Sequence, residues 1–144
     1  GLAKANEILT SGVALKTFIE RCQRQGATYI YDFPKARNKF AILAPDTGVI
    51  TQIQTEHVGI SSLELGAGRK ASGDTIDYSA GIEMNCWVGK KVYKGDTLAY
   101  LYCDNPNLFK NASDILLNAI TIFNTNDTIP ELKLIANVLD SMEV

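Results

Sequence analysis

Little in this chain points to metal, redox or membrane chemistry. Its 144 residues hold one histidine, His57, and three scattered cysteines, Cys22, Cys86 and Cys103. No cysteines stand in a C-x-x-C pair, so neither a zinc knuckle nor a dithiol redox site is indicated. Each cysteine falls within an apolar pattern, which predicts buried free thiols in a reducing compartment and hence a cytoplasmic protein. A lone histidine cannot build a Ser-His-Asp relay or a metal site without partners. His57 also sits near the start of a helix predicted over 56–65, where the helix dipole disfavours an imidazolium. No apolar run approaches the roughly eighteen residues of a membrane span, and the N-terminus lacks the charged-then-apolar layout of a signal peptide. The chain opens on Gly1 rather than Met, which suits a piece cut from a longer protein. Positive charge is not in excess: 14 Lys and Arg face 16 Asp and Glu, for a net charge of −2. That balance leaves no basic footprint for nucleic acid. The densest basic groups, Lys35/Arg37/Lys39 and Lys90/Lys91/Lys94, read as solvated faces rather than a phosphate track.

Hydrophobic residues make up 46% of the chain, enough for a real core and too many for disorder. The length suits one ordinary domain with a small appendage. Residues 2–10 read as a short helix that Ser11-Gly12 interrupts. Leu15, Phe18, Ile19 and Cys22 then recur at the spacing of one helical face, and Gln25-Gly26 closes that helix. Both helices expose apolar stripes that need a partner. Tyr29 to Pro34 reads as a connection. Strands are predicted over 39–43 and 48–54, separated by the turn signal Ala44-Pro45-Asp46-Thr47-Gly48. Thr55 is the expected cap of the helix over 56–65, with Val58, Ser61, Ser62 and Leu65 on one side and Gly66 ending it. Further strands are expected near 82–88, 91–92 and 97–103, the last with apolar residues on both faces. Asn105-Pro106 breaks the chain. A helix through Ile115, Leu116, Ala119, Ile120 and Phe123 follows, with Ser113 a candidate cap, and Pro130 opens a final helix. Helices flanking short strands make this an α+β domain.

The most informative segment is Leu65-Gly66-Ala67-Gly68-Arg69, followed by Asp74-Thr75-Ile76-Asp77 and Ala80-Gly81-Ile82. A phosphate-binding loop would need a Lys-Ser/Thr pair and a helix starting directly after it. Here a helix ends at the loop and directs its negative dipole end there. The structural reading is therefore favoured. Gly66 and Gly68 permit a tight turn, and Arg69 locks it through a charge-assisted bond to Asp77 or Asp74. The two aspartates read as turn and ion-pair groups rather than a catalytic pair, since no substrate contacts accompany them. In Val92-Tyr93-Lys94-Gly95-Asp96, Gly95 allows a sharp bend and Asp96 can bond the turn backbone. Trp87, Tyr93, Tyr100 and Tyr102 read as core or cross-strand aromatics in preference to a nucleobase-stacking surface.

These residues resemble a known signature. L-G-A-G-R, then D-x-I-D, then A-G-I, followed by Val88-Gly89-Lys90-Lys91-Val92-Tyr93-Lys94-Gly95-Asp96-Thr97-Leu98-Ala99, is similar to the C-terminal domain of pyrimidine-nucleoside and thymidine phosphorylases. Upstream, Ser11-Gly12-Val13-Ala14-Leu15 and Gln25-Gly26 fit the same pattern, so the resemblance is collinear over roughly 11–104. Ser79-Ala80-Gly81 replaces a more usual apolar-Val-Gly, and Gln25-Gly26-Ala27 lacks a second glycine. The resemblance implies a small barrel-sandwich-like sheet of short strands with a hammerhead helix. It implies a helical segment of the enzyme body over 1–34, the C-terminal domain over 35–123, and a helical tail over 124–144 without a counterpart. It implies a dimeric parent enzyme, much longer than this chain, that cleaves pyrimidine nucleosides with phosphate and needs no redox cofactor. The family's phosphate and nucleoside motifs lie outside the matching region, so no catalytic or substrate-binding residue carries over. The alternative is a stand-alone barrel-sandwich binding module of lipoyl or biotinyl type. Glu83-Met84-Asn85 has asparagine where a carrier lysine would be required, and Lys70 lacks the flanking residues, so a swinging-arm role is disfavoured.

Overall fold

The computed structural model describes residues 1–27 and 33–124. The chain divides into two compact units, Gly1–Pro34 and Lys35–Val144. The first holds α1 (Leu2–Thr10) and α2 (Val13–Arg24), with Gly12 between them at φ 77°. Neither helix buries a residue fully: Leu9, Val13, Leu15 and Phe18 all stay exposed. Of the pattern read from the sequence, Leu15 and Phe18 are exposed on α2 and Ile19 and Cys22 are half-buried.

The second unit begins with β1 (Asn38–Leu43) and β2 (Gly48–Ile53). Helix α3 (Thr55–Ser62) follows and widens into a single π-type turn over Leu63–Ala67. Then come β3 (Gly81–Met84), β4 (Lys91–Val92) and β5 (Thr97–Cys103). A 3-10 turn at Pro106–Leu108 leads into α4 (Phe109–Ala119), which passes directly into β6 (Ile120–Phe123). The strands form two antiparallel three-stranded sheets, ordered β1-β5-β3 and β4-β2-β6. This is the expected α+β arrangement of short-strand sheets flanked by helices.

Strand β5 is central because it is apolar on both faces: Leu98, Ala99, Leu101 and Cys103 are all fully buried. Ile42 of β1, Ile50 of β2, Val92 of β4 and Leu116 of α4 join them in one core. Leu65 anchors the end of the π-turn in the same cluster. Ser61, fully buried on α3, donates from its hydroxyl to the Ala112 carbonyl of α4 at 2.8 Å. That bond lets a polar residue face the core without an unmet hydroxyl.

Several sequence expectations need correction. Thr55 is the first helical residue, and the capping position falls to Gln54, whose side chain makes no capping bond. Ser113 caps nothing: it lies in the middle of α4, which starts four residues earlier, while Asn105 accepts from the Asn107 amide ahead of it. The helix expected to run through Phe123 stops at Ala119, because Ile120-Thr121-Ile122-Phe123 pairs with β2. Two β-branched isoleucines flanking a β-branched threonine suit a pleated surface better than a helix. The strand expected over 82–88 ends at Met84. Residues 28–32 of the expected connection and the final helix at Pro130 lie outside the described residues.

Candidate functional site

The glycine-rich segment starts where the π-turn ends. Gly66 adopts φ 99°, a left-handed conformation that a residue with a Cβ adopts only under strain. Its carbonyl accepts from the Asp77 amide at 2.9 Å, so the two halves of the motif are joined through backbone. Asp77 then turns its carboxylate onto Ser79, accepting from the amide at 2.9 Å and from the hydroxyl at 2.6 Å. Those Ser79 bonds, the hydroxyl's first, hold the Asp77 carboxyl below the usual carboxylate range. Asp74 folds back on the loop and accepts from the Lys70 amide at 3.0 Å and the Ala71 amide at 2.8 Å. The Lys70 and Ala71 amides are thus already filled by the chain's own carboxylate.

The cation that ties this loop down is not the one expected. No ion pair joins Arg69 to Asp74 or Asp77, since both acids are committed to backbone and hydroxyl donors. Arg69 is itself exposed. Lys70 pairs instead with Glu64 at 2.7 Å, and Asn111 of α4 donates to the same carboxylate at 2.7 Å. Glu64 lies on the π-turn, so this network links the turn, the glycine loop and α4. The Lys70 and Asn111 bonds hold the Glu64 carboxyl below its ordinary range. Sequence reasoning missed Glu64 because its partners lie six and forty-seven residues away, outside any helical side-chain spacing. Arg69→Met is accordingly expected to change stability by less than about 0.5 kcal/mol. Asp74→Ala, which strips an acceptor from two amides, should cost about 1 kcal/mol. Chemical denaturation of the three proteins checks both.

The second turn is built on the same principle. Gly95 sits at φ 92°, and the Asp96 carboxylate accepts from the Tyr93 amide at 2.8 Å. The Lys94 amide donates to the Thr47 hydroxyl at 3.0 Å, and Ala44 exchanges backbone bonds with Asp96 and Gly95. At the far end of the sheet, Asp104 accepts from the Arg37 amide at 2.8 Å and from its guanidinium at 3.0 Å and 2.9 Å. Those Arg37 bonds lower the Asp104 carboxyl as well. Gly68 is extended, and a Cβ there would meet only the far end of Leu63. Gly81 has open space around it.

Glu64, Asp77 and Asp104 all have folded-state pKa values below their unfolded ones. Such a group contributes stability above its unfolded pKa of about 4 and loses it as pH falls through the lower folded value. The protein should therefore lose stability on acidification below about pH 4. Glu64→Gln should flatten part of that slope in thermal melts across a pH series.

The remaining expected residues lie apart from the loop. His57 is exposed on α3. Trp87 and Tyr93, read as core or cross-strand aromatics, are 62% and 58% exposed. Each lies beneath a lysine: Lys90 over Trp87 at 4.7 Å and Lys91 over Tyr93 at 5.7 Å. Trp87 sits on the connection between β3 and β4, and Tyr93 on that between β4 and β5. Tyr100 and Tyr102 do form the expected cross-strand group, with Lys39 3.5 Å above the Tyr100 ring and the Tyr102 hydroxyl donating to Glu83 at 2.6 Å. Cys86 and Cys103 are buried free thiols whose pKa is pushed up by burial, the opposite of a reactive thiolate. Cys22 is only half-buried. Among the described residues, no three His, Cys, Asp or Glu side chains are grouped to hold a metal, and no helix is long and apolar enough to cross a membrane. Of the motif residues, Gly66, Asp74, Asp77, Gly95 and Asp96 hold turns through the backbone and hydroxyl bonds described above.

Comparison with known proteins gives this scaffold relatives. The pyrimidine nucleoside phosphorylase C-terminal domain family matches residues 49–123. A pyrimidine-nucleoside phosphorylase of Bacillus subtilis (strain 168) is 34% identical over 111 residues, covering 74% of this chain and 26% of the relative. A thymidine phosphorylase of Mesorhizobium japonicum is 34% identical over 128 residues, covering 85% of this chain and 29% of the relative. A pyrimidine-nucleoside phosphorylase of Staphylococcus haemolyticus is 32% identical over 108 residues, covering 72% and 25%. The chain therefore spans between a quarter and a third of the length of these relatives.

Proposed function

Because the chain belongs to the pyrimidine nucleoside phosphorylase C-terminal domain family, we propose that it is the C-terminal structural part of a pyrimidine-nucleoside phosphorylase. In the whole enzyme, a phosphate oxygen attacks the anomeric carbon of a pyrimidine (deoxy)nucleoside. The bond to the base breaks, and free base and pentose 1-phosphate leave. That reaction demands cationic and hydroxyl donors around phosphate and stabilisation of positive charge on the sugar ring. We assign those groups to the rest of the enzyme. The role of this part is to complete the body that closes on the substrate-bearing domain and brings phosphate and nucleoside together.

On this reading residues 1–34 belong to the enzyme body, and the apolar stripes on α1 and α2 are the surface that packs against the rest of it. Residues 35–123 form the C-terminal domain, and residues 124–144 a tail beyond it. The whole enzyme would act in the cytoplasm as a homodimer, without a redox cofactor. The observation that carries the proposal is the family match over 49–123. The filled amides at Asp74 support the absence of a phosphate site in this part.

The test compares the 144-residue chain with a longer protein that includes the sequence encoded upstream. The longer protein is expected to release base from thymidine or uridine only when phosphate is present, and the chain alone to release none. Turnover by the chain alone would move the active site into it. Inactivity of a folded longer protein would favour the stand-alone barrel-sandwich module.

A further inference from the structure

A groove opens between β1 and α4, and the phosphorylase reading makes no use of it. Phe40 of β1 and Phe109 of α4 stack with their ring centroids 5.4 Å apart. Phe40 is still 45% exposed. The groove beside the stack measures about 480 Å³ and is lined by Phe40, Pro106, Phe109, Lys110, Ser113 and Asp114. That volume falls in the range of small-ligand sites. One wall is aromatic, and α4 supplies three polar groups. Lys110 and Asp114 are both exposed, at a spacing where opposite charges pair along a helix. Among the described residues no ion pair joins them. Ser113 is 8% exposed, and its hydroxyl is buried without a hydrogen-bond partner. Ser61, the other buried polar residue among those described, has its bond to the Ala112 carbonyl. An unmet hydroxyl in the lining of a groove, beside two opposite charges not paired with each other, calls for an occupant.

We propose that the groove binds a free aromatic α-amino acid. The ring of the ligand lies against the Phe40–Phe109 pair, where ring–ring contact adds to the burial of apolar surface. Its carboxylate accepts from the Lys110 ammonium. The same carboxylate accepts from the Ser113 hydroxyl once that side chain turns from one staggered position to another. The ligand ammonium donates to Asp114. A zwitterion suits the groove because it carries both charges beside a single ring. An aromatic anion would bring its charge beside Asp114 with nothing to offset it, and an aromatic cation would do the same beside Lys110. An aliphatic amino acid would leave the exposed Phe40 ring uncovered. The site is independent of the enzymatic reading and would stand if that reading failed.

The test is a titration of the 144-residue chain with phenylalanine up to about 20 mM, followed by amide chemical shifts, which fills a site of millimolar affinity. The expected result is saturable shifts at Phe40 and from Phe109 to Asp114, with a dissociation constant of about 1 mM, as suits a small ligand in an open groove. Three probes each lack one feature: 3-phenylpropionate the ammonium, phenethylamine the carboxylate and alanine the ring. Each should bind about tenfold more weakly or worse. Lys110→Gln and Asp114→Asn should each weaken phenylalanine about tenfold. Ser113→Ala should weaken it about threefold to tenfold without lowering the melting temperature, because the hydroxyl removed has no partner in the folded chain. Shifts that stay linear to the end of the titration would overturn the proposal. So would 3-phenylpropionate or phenethylamine binding as tightly as phenylalanine, or a Ser113→Ala variant that binds as the parent does.

Discussion

Leu101→Ala is expected to destabilise the protein by about 3–4 kcal/mol, the middle of the range for a fully buried leucine. Leu101 has no exposed surface. It stands on the central strand β5, opposite Phe40 of β1 on one side and Ile82 of β3 on the other. Both neighbouring strands are hydrogen-bonded to β5, so the backbone cannot close inward on the vacated volume. The residual cavity, added to the lost transfer energy, makes the cost large. For a folded unit of this size the melting temperature should drop by about 15 °C or more. Calorimetry or a circular dichroism melt checks it. A drop of only a few degrees would mean that the two sheets do not share one core.

Gly48→Val carries the second largest effect, about 2–3 kcal/mol of destabilisation, from overpacking rather than a cavity. A Cβ at Gly48 would lie 2.5 Å from the Phe123 carbonyl oxygen and 2.8 Å from the carbonyl carbon. Those are backbone atoms of β6, which cannot rotate away as a side chain would. Gly48 is also held from the other side by its pairing with Val92 of β4. Inserting bulk must push β6 off β2 or part the β2–β4 pair. Gly81→Ala is the matched control: nothing lies within 4 Å of a Cβ there, and it should change stability by less than about 0.5 kcal/mol. Equal losses at the two positions would refute the account of sheet packing. The contrast also shows that a signature glycine is not always the sterically constrained one, since Gly81 belongs to the motif and Gly48 does not.

The regular parts of the fold were legible where periodicity and length agreed. The helical face of Leu15, Phe18, Ile19 and Cys22, and the two-sided apolar strand Leu98–Cys103, could be read directly. The α4–β6 junction could not. Ile115 to Phe123 satisfies a helical spacing, and the β-branched run at Ile120 decides for strand only because β2 lies alongside. Tertiary pairing outweighed local periodicity there. The donors that Asp74 and Asp77 hold could not be read from the sequence. Asp74 bonds the amides of Lys70 and Ala71, and Asp77 bonds Ser79, which leaves neither for Arg69. The network of Glu64, Lys70 and Asn111 depends on α4 packing beside the π-turn, a contact that no spacing rule supplies. Exposure of Trp87 and Tyr93 was likewise hidden, because strand-like composition does not reveal where short strands stop.

These turns are closed by the chain's own carboxylates, and on the proposed reading that closure makes the glycine-rich loop scaffold rather than a phosphate cradle. The direct measurement is amide chemical shifts of the 144-residue chain during titration with inorganic phosphate, and separately with thymidine, up to about 10 mM, where even a site of millimolar affinity would fill. The account predicts that the amides of Gly66 to Asp77, above all Lys70 and Ala71, stay in place beyond a uniform salt effect. Saturable shifts centred on those two amides, with Asp74 displaced from them, would contradict it.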